Sequence, residues 1–154
     1  MNANFEKEVK MNQYIHQMYR NAKEVEDKEV IELAKAKYQS FKDRIAERGD
    51  DYVMVFQKVL NAVERGNELI DIYDSVWESQ LPSILEAFKK YGIEQFTVSS
   101  GFSSMNETIW TLLQNGCELA GMTLVKSNTT ELIFEKGNIN EERKDVPAFL
   151  IKIK

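Results

Sequence analysis

The chain holds one cysteine, Cys117, one histidine, His16, and two prolines, Pro82 and Pro147, in 154 residues. A lone cysteine excludes an internal disulfide and any cysteine-cluster metal site. It also fits a reducing compartment, so the cytoplasm is the expected location. A lone histidine leaves a serine or cysteine nucleophile without a base unless His16 reaches it. His16 falls inside the first amphipathic segment, and nothing in the sequence brings it near a nucleophile. No apolar run approaches the roughly 20 residues that span a bilayer. Met1 to Lys10 lacks the apolar core of a secretory signal. Net positive charge is missing too: 20 Lys and Arg face 25 Asp and Glu, for a net charge of −5. Direct nucleic-acid binding is therefore not expected, because contacts to phosphate supply most non-specific affinity.

What is present suits a globular chain. Hydrophobic residues make up 43% and charged residues 29%, enough to build a core. Phe5, Val9, Ile15, Met18 and Ala22 form an imperfect helical stripe. Ile31, Ala34, Tyr38, Phe41 and Ile45 alternate steps of three and four, which places them on one helix face. Gly49 stops that helix, and Asp50 or Asp51 caps the next, whose stripe is Tyr52, Val55, Phe56, Val59 and Val63 before Gly66. Beyond Gly66 the pattern changes. "NELIDIYD" reads as a short strand or a linker. "PSILEAFKKYG" reads as a helix with proline in its first turn and a C-terminal glycine. "EQFTVSS" is a strand. "SMNETIWTLLQNG" is a helix in which Ser104 and Glu107 are spaced as a capping box and Trp110 is assigned to the core. Cys117, expected as a small buried residue, opens a strand. A hairpin is expected across Ser127-Asn128-Thr129, and "KGNINEERKD" is expected as a mobile loop. Pro147 should begin the last strand or mark an edge. Gln95 to Val125 fits a β-α-β crossover with parallel strands. The whole predicts one α+β domain over 1–154: residues 1–66 mainly helical, packed on a small mixed sheet in 67–154.

Two stretches carry candidate chemistry. Ser99, Ser100, Ser103 and Ser104 lie where a strand hands over to a helix, where backbone N–H groups favour an anion. The glycine pattern of a dinucleotide site and the lysine of a P-loop are both absent there, and capping alone accounts for Ser104. The second stretch is acidic: Glu64, Glu68, Asp71, Asp74, Glu78 and Glu86 against Arg65 alone. A magnesium site from Asp71, Asp74 and Glu78 has no ligand loop to frame it, so neither metal nor cofactor is expected. The other functional reading is an acidic surface for a basic protein, set against plain solvation. Trp77 and Phe102 flank it, and aromatics beside acids suit a protein contact. The expected contact set is Glu68, Asp71, Asp74, Trp77, Glu78 and Phe102.

Trp77 to Val125, with "YGIEQFTVSS", Phe102-Ser103 and "NGCELAG" as its distinctive pieces, resembles small uncharacterised proteins of plasmids, phages and integrated elements of Gram-positive bacteria. Small acidic proteins of such elements include anti-CRISPR inhibitors. The resemblance implies a non-enzymatic inhibitor whose acidic surface engages a CRISPR effector nuclease. The alternative is a small enzyme that holds a phosphate-containing or nucleotide ligand at Ser99–Ser104. A third arrangement is a homodimer through the Ile31–Ile45 helix face.

Overall fold

The computed structural model describes residues 3–72, 78–99 and 105–154, without the side chains of Glu78 and Asn128. Its fold class is α+β, with helices first and a mixed sheet after them. The chain divides into two compact units, Met1–Gln57 and Lys58–Lys154.

The first unit is built on α1 (Ala3–Glu24), α2 (Lys28–Ala46) and the start of α3 (Asp50–Arg65). The apolar stripes meet as their spacing requires. Phe5 is fully buried, with its ring centroid 5.2 Å from that of Tyr52 and 6.3 Å from that of Phe56, and Phe41 meets Phe56 edge-on. Ala34, Phe41 and Ile45 of α2 are buried in this unit. That leaves the Ile31–Ile45 stripe with little free apolar surface for a partner; Tyr38 alone is exposed, beside the ring of His16. The carboxylate of Asp27 caps α2 by accepting from the Val30 N–H at 3.2 Å. Asp27→Ala should cost about 1 kcal/mol in a denaturant titration, through loss of that cap.

The second unit holds the rest of α3, β1 (Asp71–Ile72), a 3₁₀ turn (Glu78–Gln80), α4 (Leu81–Lys90), β2 (Gln95–Ser99), α5 (Met105–Gln114), β3 (Cys117–Glu135) and β4 (Asn138–Ile153). Strand order is β1-β2-β4-β3. β1 and β2 are parallel, while β4 runs antiparallel to both β2 and β3. β2 and β3 thus point the same way, as the β-α-β pattern predicts, but β4 lies between them. Five residues of β2 and two of β1 make the sheet four strands wide only near the end of β4. Among the described residues, β3 and β4 continue elsewhere together as a two-stranded ribbon.

Four expectations change here. Ser127–Thr129 is not a hairpin turn. It lies inside β3, where four steps from Lys126 to Thr130 face only two steps of β4, so two extra residues are absorbed as an irregularity. The reversal comes at Lys136-Gly137, both with positive φ (49° and 80°), the signature of a two-residue type I′ turn. The stretch expected as a mobile loop is therefore this turn and the start of β4. Serine and asparagine mimic a turn in sequence, but the Lys126–Asp145 and Thr130–Arg143 pairs on either side of them keep β3 running along β4. Pro147 neither opens β4 nor lies on an edge strand. It lies within β4, opposite Leu124 of β3 and next to Ala148, which pairs Ser99 of β2. Trp110 is 65% exposed rather than core; Thr108 and Leu112 are the buried side of α5.

Side chains alternate across the sheet. One face carries Ile72, Phe96, Val98 and Ile151, all buried, with the Phe96 ring 5.4 Å from that of Phe88 on α4. The other carries Asp71, Thr97, Ser99 and Ala148.

Candidate interaction surface

Of the expected contact residues, Asp74, Trp77 and Phe102 lie outside the described residues, as does the side chain of Glu78. Glu68 is exposed. Asp71 turns into its own sheet: the Thr97 hydroxyl donates to its Oδ1 at 2.7 Å, and the Ser99 hydroxyl also bonds it. The expected anion cradle is represented by Ser99 alone, which is buried in β2 beside Ala148; Ser100, Ser103 and Ser104 lie outside the described residues. Among the described residues no cluster of metal-ligating side chains occurs.

Burial pushes the Asp71 carboxyl above its ordinary pKa, against the opposing effect of the Thr97 and Ser99 hydroxyls and the Arg65 charge. The folded chain then holds this proton more tightly than the unfolded chain. Its stabilising contribution is full below the unfolded pKa and is lost as pH rises through the folded one. Thr97→Val removes a donor that favours the carboxylate, so it should raise the Asp71 pKa further. A carboxyl-carbon NMR titration of wild type and variant reads this directly; an unmoved midpoint would exclude the Thr97 bond.

The ribbon carries further exposed polar and charged groups. Asn67 fastens its base: the side-chain amide donates to the Lys126 carbonyl at 3.2 Å, and its carbonyl oxygen accepts from the Lys126 N–H at 2.8 Å. One side chain thus satisfies both backbone groups where the β3 register breaks. Arg143 donates to the Ser127 carbonyl at 3.0 Å, holding the inserted residues from the opposite strand. Beside this base, Glu68, Thr97, Thr123, Lys126 and Asp145 line a shallow cavity of about 230 Å³.

Farther out, the two faces of the ribbon differ. On one, Glu131 stands directly opposite Glu142, and Glu135 lies two pairs along. Directly opposed like charges weaken a sheet, and Lys144, bridging Glu131, compensates one of the three. On the other face, Leu132 (59% exposed), Phe134 (72%) and Ile139 (63%) are open to solvent, and Phe134 pairs with Ile139. Once "TELIFE" is read as a strand, its two-residue period sets Leu132 and Phe134 on one face and Glu131, Ile133 and Glu135 on the other. The opposed glutamates depend on the Lys136-Gly137 turn, which sets Glu131 against Glu142; a reversal at Ser127–Thr129 hides them.

No curated protein and no solved structure matches the chain. Residues 54–153 match a family described as a domain of unknown function, DUF7698. The match runs from within α3 to the last residue of β4, so it takes in the whole sheet and the ribbon, and α1 and α2 lie outside it. Covering well over half of the 154 residues, it places the chain in the DUF7698 family.

Proposed function

We propose that the protein is a non-enzymatic interaction protein that engages a basic partner through carboxylates of its C-terminal unit. The observation that carries this reading is the opposed pair Glu131 and Glu142, with Glu135 beside it, on an exposed ribbon face. A local arrangement that weakens the sheet and serves no packing is expected where a surface works on something else. Glu68, exposed by the ribbon base, is a further carboxylate of this unit. The partner takes its chemistry from these groups: arginine and lysine side chains that otherwise grip phosphate. Together with the resemblance to small proteins of mobile elements, this makes an RNA-guided nuclease the specific candidate and inhibition by occupying its nucleic-acid channel or its motif-reading arginines the mechanism. The test is a cleavage assay: a purified RNA-guided nuclease, its guide and target DNA, with increasing amounts of this protein added before the DNA. Dose-dependent loss of cleavage supports the reading; undiminished cleavage at large molar excess, across nucleases of the main types, removes the inhibitor.

A second reading rests on one atom. Among the described residues the Thr108 hydroxyl, in the first turn of α5, is buried and finds no hydrogen-bond partner. Helix side chains lean toward the N-terminus, where backbone N–H groups favour an anion. Under this reading the start of α5 binds a phosphate-containing ligand. Millimolar phosphate or nucleotide should then raise the melting temperature by mass action, and Thr108→Val should cancel the rise. A flat response to both would retire it.

A further inference from the structure

We infer that a hollow between α1 and α2 binds a small planar aromatic anion. Its volume is about 240 Å³, and Ile15, His16, Tyr19, Ala34, Lys35 and Tyr38 line it. That is smaller than the roughly 300–1,000 Å³ of a pocket for a drug-sized ligand, so it takes one ring system rather than a peptide. Ile15 and Ala34 are buried and form its inner side. Alanine at position 34 leaves open the space that a longer side chain would fill.

Aromatic rings reach the hollow from both helices. The His16 and Tyr38 centroids lie 5.3 Å apart with their planes tilted by 59°, so the two rings join across the helix pair. Tyr19 stands one turn along α1 from His16 and so shares its face. Side-chain rings receive another flat ring in offset or edge-on contacts, with centroids roughly 4.5–7 Å apart.

The lysines decide which flat rings fit. α1 and α2 run antiparallel: Glu8 pairs with Arg44, and His16 meets Tyr38 farther along. Lys23 and Lys42 each follow a lining tyrosine by four residues, so the antiparallel pair puts them at opposite ends of the hollow. Helix side chains lean toward the N-terminus, and both lysines lean back over those tyrosines. Lys23 Nζ is 5.7 Å from the Tyr19 centroid and Lys42 Nζ is 5.5 Å from that of Tyr38, within the reach of a cation–π contact. Glu32 neutralises Lys35, at 3.3 Å, which leaves Lys23 and Lys42 as two positive ends. An anionic group on the ring gains from either end, and a cationic one is repelled by both. The hollow belongs to the N-terminal unit and lies outside residues 54–153, so it stands independently of the acidic ribbon.

The single histidine makes the test direct, because the imidazole NMR signals of the full chain report on His16 alone. Benzoate and naphthoate are titrated to millimolar concentration, each beside the amine of the same ring, benzylamine and naphthylmethylamine. At least one carboxylate should shift the His16 signals saturably, and its amine counterpart should bind about tenfold more weakly or worse. Lys23→Gln with Lys42→Gln should weaken the carboxylate about tenfold and leave the amine no weaker. Tyr38→Ala should remove binding of both. The substituted side chains are exposed, so circular dichroism should not change; if it does for Tyr38→Ala, the lysine variant decides alone. His16 signals that neither carboxylate moves overturn the inference. So does an amine that binds as tightly as its carboxylate, or a lysine variant with wild-type affinity.

Discussion

Phe96→Ala should destabilise the C-terminal unit by about 3–5 kcal/mol. Phe96 is fully buried on β2, an interior strand, and its ring meets Phe88 of α4 edge-on at 5.4 Å. Truncation removes the ring, strands the α4 side of the contact and opens a cavity that a strand paired on both sides cannot collapse. Ordinary domains have only about 5–15 kcal/mol in total, so the loss is a large share of the whole. Phe134→Ala provides the contrast. That ring is 72% exposed, and its truncation should move stability by no more than about 0.5 kcal/mol. Denaturant titrations of both variants check the pair. Equal effects would mean that the sheet faces are assigned wrongly.

The second large effect concerns charge. Replacing Glu131, Glu135 and Glu142 together by Gln should weaken binding to a basic partner on the order of a hundredfold at low salt, since charge-assisted contacts and electrostatic steering are lost at once. Folding should hold or improve slightly. The Glu131–Glu142 repulsion disappears, a gain of up to about 1 kcal/mol, while the Lys144–Glu131 bridge is solvent-exposed and contributes little. Loss of binding with stability intact is the combination that separates a working surface from a structural one. A triple variant that binds normally would return these carboxylates to simple solvation.

Much of the fold was legible in the sequence because its signals are local. The stripes at Phe5–Ala22 and Tyr52–Val63, the glycines that close α2 and α3, and the proline in the first turn of α4 each fix an element within a few residues. The sheet was legible in direction only. That β4 inserts between β2 and β3 depends on contacts distant in sequence, and no local signal carries it. The ribbon was misread for a definite reason: Ser127-Asn128-Thr129 has turn chemistry, and Lys136-Gly137 has it too, so two reversals competed. Asn67, some sixty residues away, ties down Lys126 and keeps the first candidate within the strand. Asp71 shows the limit for sites. Sequence lists it among acids, whereas the partners that occupy it, Thr97 and Ser99, come from the next strand.

The most direct test of the acidic-surface account is the dissociation constant of this protein for a purified RNA-guided nuclease, measured for wild type and for the Glu131, Glu135 and Glu142 to Gln variant at low and high salt. The account predicts tight wild-type binding at low salt that weakens steeply as salt rises, and a variant already weak at low salt with a shallower dependence. Equal affinities for the two proteins, or a wild-type affinity indifferent to salt, would contradict it.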